Sequence, residues 1–227
     1  MPKQFGNREQ WAGTPEYRKL VTAPMQVIGA SPELLPALVR YVECKCLIGG
    51  VTTTQGIALF SAAGIRRFYP GLVRNVEQTD HPDLPAATSR IPDVVANDAA
   101  RFMDRLRHGC LLLHLSEGRD DKARAHFLAL HVGNRWAITQ ALVGIHCAAL
   151  ERQDFDVLAA NGGSMVWSPL SNLLLYGKTA DVKAARAAGV RMALGSDWSP
   201  TGSKNLLWEL KVAKRAAALL GANIMRE

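Results

Sequence analysis

No apolar run in this chain approaches the ~20 residues needed to cross a bilayer, and no apolar segment of the signal-peptide type follows Met1. A membrane partner is not expected, and a cytoplasmic protein is. Cysteine is scarce. Cys44, Cys46, Cys110 and Cys147 follow neither a paired disulfide framework nor a CxxC zinc spacing, so they read as reduced core thiols. A helix between Pro32 and Gly49 accounts for the Cys44/Cys46 pair. No stretch has the composition of a linker, which leaves one domain over 1–227, with 1–32 as an irregular or helical lead-in. Nor is there a basic stripe interleaved with aromatics. The 27 Lys and Arg against 20 Asp and Glu give a net charge of +7 and a pI near 9.5. The densest groups, Arg66-Arg67 and Lys211 to Arg215, fall in amphipathic segments, where a solvated face explains them better than a nucleic acid does.

What remains is a soluble globular chain of 227 residues, 48% hydrophobic and 21% charged, able to bury a sizeable core. Apolar, β-rich segments alternate with helical patterns along it. Strand candidates are Val51 to Thr54, Leu72 to Val76, Cys110 to His114, Leu142 to His146, Ser164 to Ser168 and Val190 to Asp197. Between them, positions 33–48 have helical spacing and stop at Gly49-Gly50, a helix C-terminal signal. Pro82, Pro85 and Pro92 punctuate a loop, after which Val95, Ala99, Phe102 and Leu106 mark a helix face. Further helices are expected with Ala123, Phe127 and Leu130 on one side, over 152–161, and over 181–188. A last one starts near Ser203, capped by that hydroxyl, with Leu206, Leu210, Ala213, Ala217 and Leu220 as its buried stripe. Such alternation predicts a parallel sheet covered by helices.

Polar groups recur at the ends of four of these strands, at positions 114, 146, 168 and 197, at intervals of 32, 22 and 29 residues against about 31 for one barrel unit. A (β/α)₈ barrel builds its site from the C-terminal ends of its strands, whereas an open doubly wound sheet concentrates ligands at one switch point. The barrel is therefore preferred. His114 and Glu117, three apart where a strand gives way to its loop, can aim an imidazole and a carboxylate into one cavity. His146 can ligate a metal or hydrogen-bond a bound water. Asp197 is a carboxylate that would be costly to desolvate without a metal or donors nearby. Each has a structural alternative: a satisfied core histidine, or a helix-capping acid. Their equivalent positions on successive strands favour chemistry.

His114-Leu-Ser-Glu117, Gly144-Ile-His146, Trp167-Ser-Pro-Leu-Ser-Asn172 and Gly195-Ser-Asp197-Trp-Ser-Pro resemble the later motifs of the amidohydrolase superfamily, in the branch of cytosine deaminase and the triazine hydrolases. Gly49-Gly-Val-Thr-Thr53 is similar to its second-strand motif, so the resemblance runs from about Gly49 to Leu210. It implies a divalent metal, zinc or iron, that activates water for attack on a carbon bearing a nitrogen leaving group in a small-molecule substrate. His114 and Asp197 would be metal ligands and Glu117 would carry protons to the leaving group. His146 would orient the water or ligate directly, and Asp197 could also take the water's proton. Ser168, Asn172 and Trp198 would contact substrate at the mouth of the site, a structural turn being the alternative for the Ser168–Asn172 loop.

That family takes two ligands from a His-x-His pair on its first strand, and no His-x-His occurs here. Only about six strands can be read where the barrel has eight. The expectation is an incomplete (β/α)₈ barrel, begun beyond the metal pair and lacking full ligation. It is either a hydrolase of non-peptide C–N bonds by descent or a non-catalytic remnant that binds a small molecule or a partner chain. Strand edges left unpaired would favour self-association.

Overall fold

The computed structural model describes residues 3–56, 71–77, 83, 86–90, 93–94 and 99–222. Val95, the Arg66-Arg67 pair and the three loop prolines lie outside them. By contact the chain divides into two compact units, Glu9–Ser89 and Met1–Arg8 with Arg90–Glu227.

The first unit is mostly helical. Helix Leu34–Ile48 ends at Gly49, as the Gly-Gly signal predicts, and carries Cys44 and Cys46. Strands β1 (Thr53–Thr54) and β2 (Arg74–Asn75) pair in parallel, Thr53 beside Arg74. The buried Glu43 carboxylate accepts the Val73 amide at 3.1 Å and so ties helix to strand. Cys44 is exposed and Cys46 half-buried. Of the four cysteines only Cys147 is a true core thiol, because the other three sit on helix or strand faces that the fold leaves partly open.

The second unit holds the motif-bearing strands. β3 (Ala87–Arg90) runs into it at Arg90, a strand the proline-rich sequence hides. β4 (Cys110–Leu115) follows, then a small antiparallel hairpin of β5 (His131–Val132) and β6 (Arg135–Trp136). β7 (Leu142–His146), β8 (Ser164–Trp167) and β9 (Arg191–Leu194) complete the set. All six expected strands exist. Within this unit the sheet order is β4-β7-β8-β9, all in parallel, Leu115 beside His146, Gly144 beside Met165 and Trp167 beside Leu194. Parallel neighbours with a helix in each connection are what repeated βα units produce.

Period-two alternation sends Leu111, Leu113 and Leu115 of β4 into a fully buried layer, where they join Phe127, Leu142, Phe155 and Leu158. The helices supplying that layer start where they should. Asp120 caps helix Asp121–Leu128 through Ala123 N, and Glu151 and Asp154 form a capping box on helix Arg152–Ala160. Arg124 joins the two helices, its guanidinium 2.7 and 3.1 Å from Asp154.

The final helix departs from expectation. It spans Leu206–Leu219 and is capped by Asn205, whose side chain accepts Trp208 N. Its buried face is Glu209, Ala213, Ala216 and Ala217, while Leu210 is exposed. The cause is polar: the Glu209 carboxylate turns inward to accept Leu170 N at 2.9 Å and the Ser203 hydroxyl. Ser203 thus serves this acid instead of the helix terminus. No helix among the described residues is long and apolar enough to cross a membrane.

Candidate functional site

Three of the four proposed groups converge. One donor atom each from His114, Glu117 and His146 lies within 4.8 Å of the others. His114 stands on β4 and His146 ends the adjacent β7. Strict alternation would put His146 on the face of its register partner Leu115, away from His114. The backbone at His146 is instead left-handed (φ 75°), which breaks the alternation, and the two rings lie 5.3 Å apart. Ser116, Cys147 and Asp197 also have positive φ, at 53°, 50° and 60°. Side-chain-bearing residues there carry strain of order 1–3 kcal/mol each, and such residues cluster at functional sites. Gly144, two residues before His146, is needed for close approach: a Cβ there would meet Cys147 Sγ at 2.8 Å and Leu115 Cδ2 at 2.9 Å.

Glu117 is 2% exposed, and both its oxygens are engaged. Tyr176 donates to Oε1 at 2.9 Å, and Arg8 donates to Oε2 at 2.6 Å. Arg8 arrives on the segment Phe5–Arg8, whose backbone is laced to the strand-end loops: Phe5 N to Leu175 O, Arg119 N to Gly6 O, and Arg8 N to Glu117 O. Gly118 lets this segment pass, since a Cβ there would sit 2.6 Å from Gly6 O and 2.8 Å from Asn7 Cα. Burial alone would raise the Glu117 pKa. The charges of His146, Arg8 and His114 with the Arg8 hydrogen bond outweigh it, holding the carboxyl at about 2 against an ordinary 4.5. Glu117 is therefore a resting carboxylate. His146 Nε2 is 3.8 Å from the same Oε2, beyond hydrogen-bonding distance.

Asp197 is not part of this group. It ends the run after β9, half-buried, and its carboxylate accepts the next amide, Trp198 N, at 2.7 Å. Ser168 is buried at the start of helix Pro169–Tyr176, which replaces the loop expected over Ser168–Asn172. Asn172 is fully buried on that helix, its amide against His146 and Thr179. Trp198 is 38% exposed. The donor chemistry fits a divalent cation, because imidazole nitrogen and carboxylate oxygen are the ordinary ligands of zinc and related metals. Any cation on Glu117 Oε2 shares that oxygen with the Arg8 guanidinium.

No family model matches the chain. It is 29% identical over 112 residues to the 5-methylthioadenosine/S-adenosylhomocysteine deaminase of Caldicellulosiruptor saccharolyticus, covering 45% of this chain and 25% of the relative. The enzyme of the same name from Moorella thermoacetica is 32% identical over 119 residues, 50% of this chain and 27% of that one. Among solved structures, the chain is similar to a variant of the atrazine chlorohydrolase of Arthrobacter aurescens complexed with zinc and atraton. The TM-score is 0.68 at 16% identity, over 95% of this chain and 60% of the other. E. coli guanine deaminase gives 0.65 at 17% identity, over 92% and 59%. The chain thus spans about a quarter of those curated relatives and about 60% of the solved ones. The likeness bears out the barrel-type fold, and the described sheet, with its parallel strands β4, β7, β8 and β9, is an incomplete barrel.

Sequence reasoning missed three residues of this site: Arg8, Tyr176 and Asp93. Arg8 lies in a polar stretch without periodicity, and Tyr176 looks like any apolar helix residue. Asp93 follows a proline and gives no spacing signal, yet its buried carboxylate accepts Val94 N and Ser116 N on one oxygen and Glu117 N on the other. It fixes the turn that carries Glu117. Burial pushes its pKa up, while the His126 charge and the three amides pull the other way. Asp93→Asn puts an NH₂ where one oxygen accepts, orphaning a buried amide. The expected loss is about 1–3 kcal/mol in urea unfolding, with Glu117 resonances broadened.

Proposed function

We propose that this chain carries the strand-end machinery of a metal-dependent hydrolase of non-peptide C–N bonds in a small molecule. The observation that carries the reading is the convergence of His114, Glu117 and His146 within 4.8 Å at the ends of neighbouring strands. The likeness of the motifs and the deaminase relatives support it. His114 would hold the metal, zinc or iron, and Asp197 would join it only by giving up the Trp198 amide that its carboxylate now accepts. Bound there, a divalent ion lowers the pKa of water from 15.7 to about 7 and supplies hydroxide at neutral pH. Glu117, ionised at rest, takes the proton released by the attacking water. It returns that proton to the nitrogen as the C–N bond breaks, so hydroxide ends on carbon and the nitrogen leaves as ammonia or an amine. His146 hydrogen-bonds the attacking or developing oxygen. Ser168, Asn172 and Trp198 border the substrate's path. The reading includes a cytoplasmic chain that acts on neither nucleic acid nor membrane and that self-associates through its sheet edge.

A second reading, a non-catalytic binding remnant, draws on Arg8, whose cation already neutralises Glu117. One experiment separates the two. Under the hydrolase reading the purified chain holds about one zinc or iron per molecule, His114→Ala loses it, and ammonia release from aminated heterocycles falls about 100-fold or more. A folded chain that takes up no metal from excess zinc supports the remnant.

A further inference from the structure

A buried relay of hydrogen bonds ends on His146. Trp167 Nε1, which can only donate, lies 2.6 Å from Thr179 Oγ1. Thr179 is 7% exposed, so its one hydroxyl proton needs an internal acceptor, and Asn172 Oδ1 stands 3.3 Å away. With Oδ1 accepting, the amide cannot be flipped without stranding that proton. Asn172 Nδ2 is then the atom facing His146 Nδ1, at 3.1 Å. An NH₂ group only donates, and Nδ1 must accept.

We infer that Asn172 is a positioning residue: the Trp167–Thr179–Asn172 relay holds neutral His146 as the Nε2–H tautomer, making its site-facing nitrogen a hydrogen-bond donor and withdrawing it from the ligand set. A ring nitrogen that carries its proton has no lone pair in the ring plane for a metal. The relay thus decides between the two roles His146 could play. It also gives Asn172 a task inside the protein, with both ends of its amide used before substrate arrives. The hydrolase reading enters only in naming what Nε2–H donates to, a reacting oxygen. The tautomer itself is independent of it.

The test is nitrogen NMR of the metal-free chain labelled with ¹⁵N-histidine, in alkaline buffer where histidines are neutral, with His146→Gln assigning the signals. The expected spectrum gives His146 Nδ1 the shift of an unprotonated ring nitrogen and Nε2 that of a protonated one. Asn172→Asp, which offers Nδ1 an acceptor, inverts the pattern or protonates both nitrogens. Thr179→Val, which frees the amide to flip, mixes the two tautomers. A wild-type signal with the proton on Nδ1 overturns the inference, and so does a pattern unmoved by Thr179→Val or Asn172→Asp. The wild-type spectrum decides even if a variant fails to fold. Loss of hydrolase activity with the tautomer intact would count against the function and not against the relay.

Discussion

Glu117→Gln is expected to destabilise the chain by about 3 kcal/mol at neutral pH, and the deficit should vanish in acid. The glutamine keeps the shape and the Tyr176 contact but removes the charge that Arg8, 18% exposed, was paired with. Breaking a buried pair from one side leaves the other charge poorly solvated, typically at 3–5 kcal/mol for full burial. The same size follows from proton linkage. A carboxyl held at about 2 when folded, against an ordinary 4.5, contributes about 3 kcal/mol at ~1.4 kcal/mol per unit. Because the folded pKa is the lower one, that contribution is fully present above about pH 4.5 and is lost as pH falls toward 2. Urea unfolding of both proteins from neutral pH down to about 2 checks it. A gap that stays constant over that range would mean the charge is not what stabilises.

Tyr176 should give the second large effect. It is fully buried at the end of helix Pro169–Tyr176 and donates to Glu117. Tyr176→Phe removes only the hydroxyl from a charged acceptor, about 1.5–3 kcal/mol, and raises the Glu117 pKa because that bond favours the ionised form. Tyr176→Ala adds a ring-sized cavity, for about 4 kcal/mol or more in total. Comparing the two midpoints apportions packing from polar support. Equal losses would mean that the hydroxyl carries the effect and the ring packs loosely.

Much of this was legible in the sequence wherever a residue's role follows from its neighbours in the chain. The six strands announced themselves as short apolar runs, and His114, Glu117 and His146 stood at their ends. Helix Arg152–Ala160 lay within a residue of its expected bounds. What escaped depends on partners far along the chain. The final helix is turned by Glu209, whose reason for burial is an amide 39 positions away. Arg8 reaches Glu117 across 109 positions, and no periodicity encodes that contact. Asp197 shows the complementary limit: its motif is clear, yet its carboxylate binds its own turn and lies outside the histidine–glutamate group.

The left-handed backbone at Ser116, His146, Cys147 and Asp197 has a consequence for how this protein can be improved. Glycine relieves such a conformation, so the positions where backbone strain and side-chain role conflict fall on or beside its chemical groups. Relief of backbone strain taken alone favours glycine over the imidazole at position 146 and the carboxylate at 197, while the buried packing of His146 opposes the change. Endurance and reactivity compete at the same few backbone torsions.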